Sequence, residues 1–410
     1  MSNTETQPKE QVCINGPEAY YDSHGRADEA GASPREGELS PGISVEPSGV
    51  QLLEPRDVPL GGPRAMNVRR TLPQRARSLV GAWCFLDFYG PDDLTEATPM
   101  RVPRHPHTGL ATCSWLFSGR VDHLDSAGNW ATVRPGEVAL MNAGRGISHS
   151  EFSTSDTSVL HGAQLWYAFP EEHRFVEPSL ETHRPDPVTG DGWEAIVFLG
   201  SLLGSTSPVH TYIPLTGAQL RLEPGTSLSI DVPAGHEHAL LPVQGRVSFN
   251  GSEVSADHLA VVDAGAEQLR ITAHDEPVLA LLIGGEPLGE QIVMWWNFVG
   301  RSHEEIAAYR AAYQAEMGFE APDPQSPLSH AAHAASSSVE RASQADGVEQ
   351  EVDVEEGALG EPVSGTLRDE LAGAQYVDGR PFPQFGDFPP GQHPPLPAPN
   401  LPNTRMKPRG

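Results

Sequence analysis

Two short stretches of this chain carry metal-type chemistry. The first is Arg104-His105-Pro106-His107-Thr108-Gly109; the second, further along, is Gly144-Arg145-Gly146-Ile147-Ser148-His149-Ser150-Glu151. Each holds a pair of metal-type ligands two residues apart. In an extended strand, residues i and i+2 point to the same face, so both members of a pair can aim at one point. Two such strands facing each other inside a barrel offer three imidazoles and one carboxylate to a single cation. A lone His-x-His is weak, and rim histidines satisfied by water are the competing reading. The second half sharpens the first. Gly144 and Gly146 permit the sharp backbone path that swings His149 and Glu151 inward. Pro106 donates nothing to a sheet ladder and suits an edge next to a site. Histidine with carboxylate suits Fe(II), Zn, Mn, Ni or Cu, and no thiolate accompanies the cluster.

The elements that must position these groups read as short strands separated by turns. Residues 78–90 are largely apolar and stop at Gly90-Pro91. Residues 112–117, 121–124, 130–133, 138–141 and 160–169 follow, punctuated by Ser118-Gly119, Asp125-Ser126-Ala127-Gly128, Arg134-Pro135-Gly136-Glu137 and Pro170. Such spacing predicts a β-sandwich or barrel. A second run starts near Trp193 and ends with the apolar stretch 278–283. Its Leu222-Glu223-Pro224-Gly225 echoes Val133-Arg134-Pro135-Gly136, which suggests a duplicated β-domain. One helix stands out: Ser302 is a good N-cap with Glu305 three residues on. Ile306, Tyr309, Tyr313 and Met317 then share a face, and Gly318 closes it.

The 410 residues suffice for two or three domains, and their formal charge is −28. That balance argues against nucleic acid or an anionic membrane as a direct partner. The 41 glycines and 39 prolines fit many turns plus unstructured polypeptide. Cys13, Cys84 and Cys113 form no paired framework, the first residues carry no apolar leader, and the longest apolar run is far too short to span a bilayer. A reducing cytoplasm fits best. Residues 1–48 and 320–372 mix acidic and small polar residues without a period and are expected to be disordered.

The motifs together resemble the pirin family of the cupin superfamily, over about residues 50–318. The resemblance is dense in Arg69-Arg70-Thr71-Leu72-Pro73, in 78–87, in His105-Pro106-His107, in His123-Leu124-Asp125-Ser126, in 134–137, in 143–151 and in Leu160-His161-Gly162-Ala163-Gln164-Leu165-Trp166. The closing residues 401–409 look like the end of bacterial pirin-like chains. The resemblance implies an all-β bicupin, two stacked antiparallel β-barrels with a C-terminal helix and disordered terminal segments. The expected division is a disordered acidic segment 1–48, an N-terminal cupin barrel 49–185 with the metal site, a degenerate C-terminal barrel 186–300, a helix 301–319, an acidic insertion 320–372 and a Pro-rich extended tail 373–410. Matched residue by residue, His105, His107, His149 and Glu151 are the ligands of one divalent ion, Fe(II) foremost, with Zn, Ni, Cu or Mn as alternatives. Four protein ligands leave about two octahedral positions free. The chain departs from the family at Ala111, where Glu or Gln is common, which removes a hydrogen bond to a ligand.

Other polar positions have plainer readings. Asp87 is either a partner of the site or a satisfied buried carboxylate. His161 and Gln164 are expected to make structural hydrogen bonds on a strand of the first barrel, and Cys84 and Cys113 to pack in the core. His236-Glu237-His238 imitates the first motif without an HxE partner after it. Residues 295–298 are expected to pack across the barrels. By resemblance, the function is a dioxygenase of the quercetin 2,3-dioxygenase type, taking a small aromatic flavonol-like substrate and O₂ with Glu151 as the catalytic proton acceptor. The alternative is a non-enzymatic, iron- and redox-responsive regulator that binds a protein partner. A monomer is expected.

Overall fold

Burial along the strands explains how the sheets are layered. A computed structural model describes residues 43–46, 48–60, 66–75, 77–95, 99–321, 375–376, 380–381 and 384–410. Strands such as Ser227–Asp231 alternate buried and exposed positions, as a sheet with one wet face requires. By contrast, Trp83–Asp93 opens with seven consecutive buried residues, and Val278–Gly285 is buried throughout. Such strands are covered on both faces. They belong to the two large sheets through which the domains meet.

The first domain pairs a seven-stranded sheet with a four-stranded one. The larger runs, in spatial order, Ser179–His183, Val138–Asn142, Leu110–Ser118, Val159–Ala168, Trp83–Asp93, Met66–Leu72, Arg56–Leu60. The smaller runs Arg101–His107, Ile147–Ser153, Val121–Asp125, Trp130–Val133. The second domain repeats the plan with an eight-stranded sheet and a four-stranded sheet. All named ladders in both domains are antiparallel, consistent with the expected two stacked barrels. The larger sheets share one apolar core containing Phe85, Trp115 and Leu165 from the first domain and Phe198, Ala239 and Leu281 from the second. Trp115 stacks on Phe198 with ring centroids 4.5 Å apart, and its indole N–H donates to Gln219 at 3.1 Å. Trp83 likewise donates across the interface to the Gly284 carbonyl at 3.0 Å.

Several expectations change in detail. Ile43–Val45 is a strand, and Gln51–Leu53 pairs it onto Leu259–Val262. The start of the described chain therefore completes the second domain's sheet edge rather than the first barrel. Residues 1–42, with Cys13, residue 47, and residues 322–372 lie outside the described residues. The helix His303–Glu316 starts where expected, with Ser302 Oγ accepting the Glu305 N–H at 3.1 Å. Its capping box is only half made. The Glu305 carboxylate turns instead to Arg174 and to the Arg301 N–H, tying the helix to the turn Glu171–His173. Residues 295–298 do not pack across the barrels. Trp295, Trp296 and Phe298 form a separate core with Ile306, Tyr309, Tyr313 and, from the C-terminal segment, Phe385 and Met406. Cys84 and Cys113 are buried as expected, and burial pushes the Cys84 thiol up to about 12. No described helix is long and apolar enough to cross a membrane.

Asp87 is a satisfied buried carboxylate. Arg70 grips it with two hydrogen bonds, Nε to Oδ1 at 2.7 Å and the guanidinium NH2 to Oδ2 at 2.9 Å, with both side chains buried. The Arg70 guanidinium also lies 4.4 Å from the Phe85 ring centroid. Breaking such a pair on one side leaves an uncompensated charge in a dry core. Asp87→Ala is therefore expected to lose about 3–5 kcal/mol of stability in urea denaturation. The double change Arg70→Met with Asp87→Leu is expected to recover most of it; equal losses in both proteins would contradict this account of the pair.

Candidate metal centre

The four-stranded sheet of the first domain brings the two sequence stretches together. Arg101–His107 runs antiparallel to Ile147–Ser153, with His105 directly opposite His149 and His107 opposite Ile147. Strand alternation then puts His105, His107, His149 and Glu151 on one face. Between the His149 and Glu151 positions the register shifts, and Pro103 and Arg104 fall in that interval on the partner strand. Proline is tolerated there because a bulge on an edge strand needs no ladder donor. The strand holding both prolines is indeed the sheet's edge, as expected from Pro106. The turn before His149 depends on Gly144, whose φ is +49° and where an added Cβ would collide with the Val176 carbonyl oxygen.

Side chains converge as two overlapping groups that share His149. His105, His107 and His149 offer nitrogen atoms within 4.8 Å of one another; a nitrogen each of His149 and His123 and a carboxylate oxygen of Glu151 form the second group at the same spacing. The ring centroids of His105 and His149 are 4.3 Å apart, and those of His107 and His149 are 5.0 Å apart. All three rings are fully enclosed and Glu151 is 2% exposed. His123, singled out in the sequence only as part of a family motif, is thus a fifth group at the centre. Ser114, from the facing seven-stranded sheet, reaches Glu151 Oε1 at 3.4 Å and donates to Gln164 Oε1 at 2.8 Å. Trp166 closes the other side, edge-on to His107 at 5.0 Å and stacked on Phe85 at 3.9 Å.

Each ring's second nitrogen is anchored, and that determines what the first can do. His105 Nδ1 faces the Pro103 carbonyl at 2.8 Å, and His107 Nδ1 faces the Asn297 carbonyl at 3.1 Å. A carbonyl only accepts, so both Nδ1 atoms carry the proton and both Nε2 atoms present a lone pair. His107 Nε2 and His149 Nε2 are buried with no hydrogen-bond partner among the described residues. Burial pulls the His105 ring down to about 4, with Glu151 offsetting part of the shift. His107 and His149 are held well below the ordinary imidazole range, by burial first and then by neighbouring imidazoles. Neutral rings with inward lone pairs, next to a carboxylate, are the donor set a divalent cation takes. The residues therefore fit a divalent cation.

The remaining polar residues singled out in the sequence sort out differently. Gln164 does make the expected hydrogen bond, through its oxygen; its Nε2 has no partner among the described residues. His161 Nε2 is likewise buried without one, and its ring lies between Phe88 and Phe117, so packing describes it better than hydrogen bonding. In the second barrel Glu237 is drawn outward to Arg77 and the Gly81 N–H. The carbonyl anchors of Pro103 and Asn297 carry no side-chain signature, and nothing in the sequence pointed to them.

Comparison with known proteins agrees with this geometry. The signature of pirin matches residues 65–167, and that of the pirin C-terminal cupin domain matches residues 217–319. A Pseudomonas aeruginosa protein named "Putative quercetin 2,3-dioxygenase PA1205" is 38% identical over 266 residues, 65% of this chain and 84% of its own length. A pirin-like protein of Caulobacter vibrioides is 35% identical over 259 residues, 60% of this chain and 88% of its own. The crystal structure of a quercetin 2,3-dioxygenase from Acinetobacter baumannii superposes with a TM-score of 0.62 at 35% identity, covering 64% of this chain and 88% of the other. With both signature halves in order on the two barrels, and relatives matched over most of their own length, the chain belongs to the pirin family of cupins.

Proposed function

We propose that His105, His107, His149 and Glu151 hold one divalent ion, Fe(II), and that the chain is a dioxygenase of the quercetin 2,3-dioxygenase type acting on flavonol-like substrates with O₂. One observation carries this reading: bare, buried Nε2 lone pairs on His107 and His149, beside His105 and the enclosed carboxylate of Glu151. The names of the Pseudomonas and Acinetobacter relatives support the substrate class.

When bound, the ion supplies Lewis acidity toward the 3-hydroxyl of a flavonol and keeps coordination positions for substrate and O₂. The chain supplies the rest. Glu151 accepts the 3-hydroxyl proton on its carboxylate. Trp166, edge-on to His107, supplies an apolar aromatic wall beside that ring. Enclosure of the imidazoles keeps bulk water from the reacting oxygen and strengthens the charge interactions within.

Elemental analysis of the purified protein is expected to find about one divalent metal per chain, the stoichiometry of a three-histidine, one-carboxylate site. His149→Ala is expected to fall well below that, because the shared member of both groups is gone. Metal retained at the parent level would remove His149 from the ligand set. With the Fe(II)-loaded protein, an anaerobic mixture with quercetin is expected to be stable and then to lose flavonol absorbance with release of carbon monoxide on admitting O₂. Glu151→Gln, which keeps the shape but not the base, is expected to cut that rate by about 10²–10⁴-fold. Absence of turnover with Fe, Ni, Cu and Mn alike would overturn the dioxygenase reading while leaving the metal site standing.

A further inference from the structure

His149 differs from the other two rings in what anchors it. Its Nδ1 faces not a carbonyl but another imidazole nitrogen, His123 Nδ1, at 3.3 Å. Two ring nitrogens satisfy each other only if one carries the proton and the other a lone pair. Nothing in that pair alone decides which. The next contact does: His123 Nε2 lies 3.2 Å from Asp125 Oδ2, and Asp125 is 1% exposed. The other oxygen of that carboxylate accepts the backbone N–H groups of Ala127 and Asn129 at 2.9 and 3.0 Å, and the Asn129 side-chain amide donates to both oxygens. Asp125 is thereby held as an acceptor toward His123.

We propose that the His123–Asp125 pair is a positioning device that sets the tautomer of His149 and so makes its Nε2 a ligand. The proposal rests on the reading of His149 as a ligand, and its chain of consequences has one direction. Asp125 accepts, so His123 carries its proton on Nε2. His123 Nδ1 then has the lone pair and accepts from His149 Nδ1, which leaves His149 Nε2 bare and facing His105 and His107. That Nε2 is buried with no partner among the described residues, so no other protein group competes for it. The carboxylate charge, passed along two hydrogen bonds, also raises the donor strength of the ring. Asp125 does this while closing the turn from strand Val121–Asp125, which is why an Asp-Ser-Ala-Gly sequence serves two ends at once.

Three substitutions separate this role from plain packing. In Asp125→Asn, the oxygen that holds Ala127 and Asn129 stays, and the new amide faces His123 as a donor, reversing the order. In His123→Phe the acceptor disappears without touching the turn. In His123→Gln the amide oxygen still accepts from His149 and the amide nitrogen still donates to Asp125. Zinc affinity, measured on the full chain by competition with a chromophoric chelator, is expected to drop about 10–100-fold in the first two and stay close to the parent in the third. Nitrogen NMR of the metal-free proteins is expected to find the His149 proton on Nδ1 in the parent and in His123→Gln, and on Nε2 in Asp125→Asn. One tautomer throughout, or unchanged affinity in the first two variants, overturns the proposal. So does loss of zinc in His123→Gln as complete as in His149→Ala, which would make His123 a ligand itself. A parent that binds no zinc refutes the ligand reading instead, and the nitrogen spectrum still decides the tautomer.

Discussion

The constraint behind this molecule is that bare imidazole nitrogens must be kept in a dry interior. A buried polar atom without a partner costs roughly 1–3 kcal/mol. His107 and His149 present two such atoms side by side, next to the enclosed carboxylate of Glu151. The protein must therefore hold the rings by their far nitrogens and let the surrounding fold supply the stability. Anchors on two backbone carbonyls and one imidazole do the first; the shared core of the two large sheets does the second.

That division explains why the second domain matters to a site it does not contain. Its eight-stranded sheet covers the outer face of the sheet bearing Ser114, Gln164 and Trp166, through Trp115 on Phe198 and the bond to Gln219. Side chains pointing alternately into the barrel and into the interface are fixed from both sides, so the facing wall of the site has little freedom. The C-terminal segment acts on the opposite sheet. Arg104 and Ser148, each one residue from a candidate ligand, both bond to the Phe385 carbonyl, and Glu316 of the helix receives the Phe385 and Gly386 N–H groups. Asn297, whose carbonyl orients His107, precedes Phe298 in the core that this segment packs against.

Much of this was legible from residue order. The pairs at 105/107 and 149/151 announced themselves because side-chain alternation in strands is rigid, and a bulge on the edge strand was the only irregularity needed to align them. The helix start was legible because a cap is a local interaction. What stayed hidden was whatever depends on backbone atoms or on the far end of a charge pair. Pro103 and Asn297 act through carbonyls that every residue owns. Glu305 fitted a local capping pattern, yet the buried guanidinium of Arg174 outcompetes a single backbone N–H for its carboxylate. Gln51–Leu53 carries no mark showing which sheet edge it will complete, since that depends on a partner strand some two hundred residues away.

The second barrel repeats the same plan with a different filling. Its Glu237 and His238 stand on a strand, and the sequence there imitates His105-Pro106-His107. Here, though, the carboxylate of Glu237 points to Arg77 and the Gly81 N–H, so its charge is taken up at the junction between the domains. His238 packs against Gly284, where an added Cβ would come within 2.6 Å of the ring. The space between the second domain's two sheets is filled by Ile230, Leu240, Phe249, Ile271 and Leu282. These close-packed apolar side chains favour folding, and His238, whose two ring nitrogens are buried without a partner among the described residues, is a polar exception beside them. The two barrels differ less in architecture than in what fills them: apolar side chains around His238 in the second, converging imidazoles and a carboxylate in the first.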